Sequence, residues 1–296
     1  MFEGPATPPL AVFALTVLAL LAFAANSVLG RFALASGDID PASYTGLRLA
    51  AGAVVLALLL WTGSRSGERR RGRPGSWAGA AMLFAYAGAF SFAYLSLDTG
   101  TGALVLFGAV QFTIIGASLV RGHRPSGLEW LGMAFAVAGF VYLMLPGATA
   151  PSPAGFVMMA ASGVAWGFYT LIGRGSRRPL ADTAGNFVMS VPLAGVLLAV
   201  AVIGGLALRI GWFGGLLAIV SGGITSALGY AVWYRVLPSL TPTLAAVVQL
   251  LVPVIAALGG VLIVGEAVTL RLAAAGVLIL GGVAIATFGR RPASCR

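Results

Sequence analysis

Trp166-Gly-Phe-Tyr-Thr-Leu-Ile-Gly-Arg174 repeats the pattern of Phe23-Ala-Ala-Asn-Ser-Val-Leu-Gly-Arg31, which lies 143 positions upstream. At nearly the same offset Tyr94 pairs with Tyr234, Leu97 with Leu237, Leu128 with Leu270 and Gly139 with Gly281. The chain therefore reads as two copies of one unit, residues 1–150 and 151–296, and such a repeat decides architecture before local propensity does. Each copy holds five long apolar segments. An odd number of spans places the second copy upside down in a bilayer relative to the first. Inverted repeats of this kind mark secondary transporters, with the substrate site near the midplane between the copies.

Composition leaves no alternative to a membrane. The 296 residues are 59% hydrophobic and 9% charged, with mean hydropathy +0.99, whereas soluble domains carry roughly 25% charged residues. The net charge of +10 comes from arginine alone, since the chain has no lysine. Its distribution argues for a topology signal and against nucleic acid. The single cysteine, Cys295, excludes an intramolecular disulfide. No basic segment precedes the first apolar run, which therefore reads as a membrane helix and not a cleaved signal.

A hydrocarbon core of ~30 Å needs ~20 helical residues. Segments of that length fall at about 10–31, 42–62, 77–97, 101–120, 127–145, 154–173, 182–204, 212–235, 242–263 and 267–289. The expected fold is an all-α integral membrane protein of ten transmembrane helices. With the N-terminus inside, inner loops and tail hold Arg65, Arg69, Arg70, Arg71, Arg73, Arg121, Arg124, Arg174, Arg177, Arg178, Arg235, Arg290, Arg291 and Arg296. The outer side holds only Arg31, Arg209 and Arg271. That bias predicts cytoplasmic N- and C-termini. The run Arg69–Arg71 reads as part of the same signal, and His123 as a surface residue.

The carboxylates Glu3, Asp38, Asp40, Glu68, Asp98, Glu129, Asp182 and Glu266 lie in tails, loops or within a turn of a helix end. Proton relays use intramembrane ionisable groups, so their absence from the spans predicts facilitated diffusion or exchange. It also leaves no acid–base pair, nucleophile or metal cluster, so neither an enzyme nor a cofactor is expected. The four amides behave oppositely: Asn26, Gln111, Asn186 and Gln249 all fall in spans, where each needs a partner. Tyr86, Phe90 and Tyr94 recur at helical spacing on the third span, and Trp166, Tyr169 and Thr170 share a face of the sixth. Mid-depth aromatics beside amides fit a small-molecule pocket, lined by Asn26, Tyr86, Phe90, Gln111, Trp166, Tyr169 and Gln249. Plain packing is the bland alternative. Tyr230, Trp233 and Tyr234 read as an interfacial belt.

Arg48 is the one charge well inside a span. It could pair with carbonyls, with Asp38 or Asp40, or with an anionic substrate group; structural pairing or snorkelling is the first reading. Gly163-x-x-x-Gly167 and Gly211-x-x-x-Gly215 have the spacing for close helix approach. Pro192 and Pro253 interrupt two spans and are candidate hinges.

The two five-helix halves, the aromatic-centred segments Phe23–Arg31 and Trp166–Arg174, Arg48 early in the second span and the closing Gly276-Val-Leu-Ile-Leu-Gly-Gly-Val283 resemble the EamA group of the drug/metabolite transporter superfamily. Phe23 stands where that group usually has tryptophan. Within the group the chain looks most like the YddG-type branch of aromatic amino-acid exporters. The resemblance implies efflux of phenylalanine, tyrosine, tryptophan or methionine across a bacterial inner membrane. The partners implied are an amino-acid substrate and the lipid bilayer, with neither nucleic acid nor an obligate protein partner. The alternative is export of other metabolites or lipophilic drugs on the same fold.

Overall fold

The computed structural model describes residues 8–63, 74–122, 124–147, 150–174, 176–240 and 242–289. The inner-loop and tail arginines Arg65, Arg69–Arg71, Arg73, Arg290, Arg291 and Arg296 lie outside these residues, as do His123, Cys295, Glu3 and Glu68. The described residues form ten helices, with one isolated bridge between Ile39 and Ile210 and no strand. These are α1 Pro9–Ala35, α2 Pro41–Gly63, α3 Trp77–Ala93, α4 Thr99–Val120, α5 Gly127–Met144, α6 Pro153–Gly173 and α7 Pro179–Ile203. They continue with α8 Trp212–Ser239, α9 Leu244–Val264 and α10 Leu270–Phe288.

Helix starts follow the local sequence. Ser76, Ser126, Ser152 and Thr269 each accept a backbone N–H from three residues on, and Glu129 completes a capping box with Ser126. Those contacts satisfy N–H groups that the first helical turn leaves without partners. Nine of the helices are long and apolar enough to cross a membrane, while α3 has 17 residues. At ~1.5 Å per residue α3 is about 26 Å long, short of the ~30 Å core. The reading of 77–97 overran because Tyr94 caps the helix and its hydroxyl donates to the Thr99 carbonyl, so that 94–97 form the turn leading to α4.

The helices pack in matched pairs. Helix α6 lies against α3 and α4, and α1 lies against α8 and α9; α2 crosses to α7 and α8, and α5 packs along α10. Glycine sets the closest crossings. A Cβ on Gly132 would lie 2.4 Å from the Gly282 carbonyl oxygen, and one on Gly282 would lie 2.5 Å from that of Gly132. Gly163 and Gly167 seat α6 on α4 as their spacing predicts. Gly211 and Gly215 do not form such a crossing: Gly211 caps α8 against the Asp38 carboxylate, and Gly215 faces little.

Large apolar side chains such as Leu58, Val120, Val200 and Leu262 face outward, as lipid contact requires. Trp61, Trp77, Trp130 and Trp212 are exposed at helix ends. They, and not the 230–234 cluster, occupy belt positions. Tyr230 and Trp233 are buried, because the face of α8 that carries them packs on α1 and α6.

Candidate substrate-binding site

A column of rings runs through the interior of the bundle. Phe90 lies edge-on to Tyr94 at 4.7 Å between centroids, Tyr86 follows at 5.7 Å from Phe90, and Trp166 lies 4.7 Å from Tyr86. Trp166 is stacked between Tyr169 at 5.1 Å and Tyr230 at 5.5 Å. Tyr230 then meets Phe23, Phe187 and Tyr234. The i, i+4 stripe of α3 aims one set of rings inward, and α6 and α8 deliver the others from the second half of the chain.

Of the expected site residues, Tyr86, Phe90, Trp166 and Tyr169 thus meet in one array. Asn26 lies one turn beyond Phe23 and is taken up by α8. Its Oδ1 accepts from Ser221 Oγ at 2.7 Å and Thr225 Oγ1 at 2.8 Å, while Nδ2 donates to Ser226 Oγ at 3.2 Å. This stretch of α8, Ser221–Leu228, is π-helical. The wider turn brings residues five apart onto one face, so Ser221 and Ser226 both reach Asn26. Gln111 is buried on α4. Gln249 is half-buried at the end of a helical segment. Neither amide is hydrogen-bonded to the column. Asn186 links the column to α3: its Nδ2 donates to Tyr169 Oη at 3.5 Å and its Oδ1 accepts from the Ser76 backbone N–H at 2.8 Å.

Arg48 contradicts its first reading. It neither snorkels nor pairs with Asp38 or Asp40, but is buried under the column with Nη2 donating to Tyr86 Oη at 2.8 Å. The two aspartates are committed elsewhere. Asp38 accepts from Gly214 N, and Asp40 from Ser43 N and Arg209 N. Gly222 makes the burial possible: a Cβ there would fall 2.0 Å from the Arg48 carbonyl oxygen, so only glycine lets α8 approach α2 this closely.

Ionic contacts close one end of the column. Arg31 meets Glu266 at 3.0 Å and Asp98 at 3.5 Å and donates to the Tyr94 carbonyl. Burial and the neighbouring Glu266 push the Asp98 carboxyl above the usual carboxylate range, and Arg31 draws it partly back. At the other end Asp182 accepts from Ser176 Oγ at 2.5 Å and Gly75 N at 3.1 Å. Among the described residues no group of three or more His, Cys, Asp or Glu could hold a metal.

Sequence reasoning missed Tyr230, Tyr44 and Ser221. The repeat held a signal for the first. At the offset that pairs Tyr94 with Tyr234, Phe90 pairs with Tyr230.

Comparison with known proteins agrees with this architecture. The model of the EamA-like transporter family matches residues 153–288, from α6 to α10. An uncharacterized protein of Pseudomonas aeruginosa, PA1977, is 51% identical over 271 residues, 92% of each chain. The uncharacterized inner membrane transporter YedA of Escherichia coli K12 is 27% identical over 259 residues, 84% of this chain and 82% of its own. A solved crystal structure shares the fold at 22% identity with a TM-score of 0.65, covering 95% of this chain and 98% of the other. The family match from α6 to α10, and relatives that align over most of the chain, make this chain a membrane protein of the EamA-like transporter family.

Proposed function

We propose that this transporter exports amino acids with aromatic or thioether side chains across the inner membrane, by alternating access and without proton coupling. The observation that carries the reading is the stack of Trp166 between Tyr169 and Tyr230, joined to Tyr86 of the first half. Ring faces accept aromatic and thioether side chains alike.

Residues 1–150 and 151–296 are taken as inverted repeats. The packing supports this, since α6 against α3 and α4 is matched by α1 against α8 and α9. The two prolines differ as hinges. Helix α7 runs through Pro192 without interruption, whereas α9 is broken at Leu250. Pro253 has no N–H for the Gln249 carbonyl one turn earlier, so α9 is the helix that bends. The YedA name and the arginine distribution support an inner-membrane location with cytoplasmic termini.

Purified protein in vesicles separates this reading from drug export. Labelled phenylalanine and methionine should cross and a cationic dye should not. Dye movement without amino-acid movement would sink the proposal.

A further inference from the structure

Arg48 is 2% exposed, with Cζ 5.1 Å from the Tyr86 ring centroid and 4.7 Å from that of Phe90. Its Nη1 is buried and makes no hydrogen bond. Tyr44, one helical turn earlier on α2, is 0% exposed, and its hydroxyl also makes none, although Arg48 and Ser221 stand near it. Positions i and i+4 share a helix face, so the unpaired Arg48 Nη1 and the Tyr44 hydroxyl lie on one side of α2. Ser221 Oγ donates to Asn26 and so meets Tyr44 only as an acceptor.

Among the described residues no acidic side chain answers this charge. The six carboxylates among the described residues are all engaged: Asp38 and Asp40 as above, Asp98 and Glu266 by Arg31, Asp182 by Ser176 and Gly75, and Glu129 in its capping box. A guanidinium offers five N–H donors and keeps its proton in proteins. Buried without a counter-ion it is strongly unfavourable, and two ring faces and one hydroxyl recover only part of that.

We propose that Arg48 Nη1 and Tyr44 Oη form the seat of a carboxylate, the headgroup of a substrate whose apolar body lies along the Tyr86 and Trp166 rings. The planar fork of arginine matches a carboxylate, and the tyrosine supplies a second donor beside it. Tyr86 ties seat to column, binding Arg48 through its hydroxyl and meeting Trp166 through its ring. The substrate ammonium has no such receiver: Asn26 Oδ1 is filled by the hydroxyls of α8, and the carboxylates lie at the helix ends. This rests on the transport reading above and narrows it: the carboxylate selects the substrate and the α-amino group does not. Reaching the seat requires the rings over Arg48 to part, which the alternating-access cycle supplies.

The test is binding and thermal unfolding of the purified full chain with phenylalanine, 3-phenylpropionate, 2-phenylethylamine and chloride. Both acids should bind wild type and raise its Tm, and the amine should do neither. Arg48→Met should remain folded and lose affinity for both acids by about 10- to 100-fold, the scale of a hydrogen bond to a charged group. Tyr44→Phe should lose about 10-fold, since its hydroxyl also donates to an ionised carboxylate. A folded Arg48→Met that binds the acids as wild type does overturns the seat. So does an amine that binds as well as the acids, or wild type that binds neither acid; both are read without any variant. Arg48-dependent chloride binding with no acid binding shows an inorganic anion site and overturns the substrate assignment. The two readings fail separately. Arg48-dependent binding of 3-phenylpropionate without phenylalanine supports the seat and defeats the amino-acid proposal, whereas wild-type phenylalanine transport by Arg48→Met does the reverse.

Discussion

Asn26 and Arg48 are both buried polar side chains on helices of the first half, and their bonding states are opposite. Three hydroxyls of the π-helical turn of α8 meet Asn26, so its amide has the partners it needs within the fold. Arg48 has one hydroxyl, two ring faces and a buried Nη1 with nothing to hold. A polar group satisfied by its own chain belongs to the scaffold. The unpaired Arg48 Nη1 is the observation from which a ligand seat is proposed. Asn26 was expected to line the site and Arg48 to be structural; the proposal above gives the binding role to Arg48.

The largest effect expected from testing this contrast is on stability at Asn26. Asn26→Leu removes the acceptor of the Ser221 hydroxyl, while Thr225 keeps the Ser221 carbonyl at 2.9 Å, and should cost about 1–3 kcal/mol, as a stranded buried donor does. Thermal unfolding in detergent measures it, and an unchanged Tm would mean that the hydroxyls find backbone partners without the amide. Next come the two glutamines. Gln111→Leu and Gln249→Leu should each slow transport by about 3- to 10-fold, the scale of one neutral hydrogen bond, while leaving the fold intact. If both variants transport normally, these amides are interhelical glue. Smallest of all is Arg48→Met without ligand. Its stability should stay within about 1 kcal/mol of wild type or rise, because the apolar side chain relieves an uncompensated charge. A large loss of Tm there would make Arg48 scaffold, like Asn26.

The spans were legible because hydropathy and punctuation both report bilayer depth. Most boundaries agree to within a few residues. The exceptions have local causes: Tyr94 ends α3 early through its own side-chain contact, and the break in α9 falls at Leu250, three residues before the Pro253 that explains it. Half of the ring column was legible as well, since Tyr86 and Phe90 lie one turn apart on one face. Tyr230 was misjudged because it was placed by its distance from a helix end, when the repeat already aligned it with the buried Phe90. The state of Arg48 could not be read from sequence. It depends on which carboxylates are taken elsewhere, on a Gly222 contact from a helix more than 160 residues away, and on the π-helical turn that commits Ser221 to Asn26.

The proposed ring column carries an amino acid across the membrane and needs no ion gradient. Counterflow tests it most directly: vesicles containing the purified protein and unlabelled phenylalanine, placed in labelled phenylalanine with equal pH and sodium on both sides. Wild-type vesicles should take up label transiently above its outside concentration and then equilibrate, and Arg48→Met vesicles should not. Uptake no faster than in protein-free vesicles, or sustained uphill accumulation only when a proton gradient is imposed, would contradict the account.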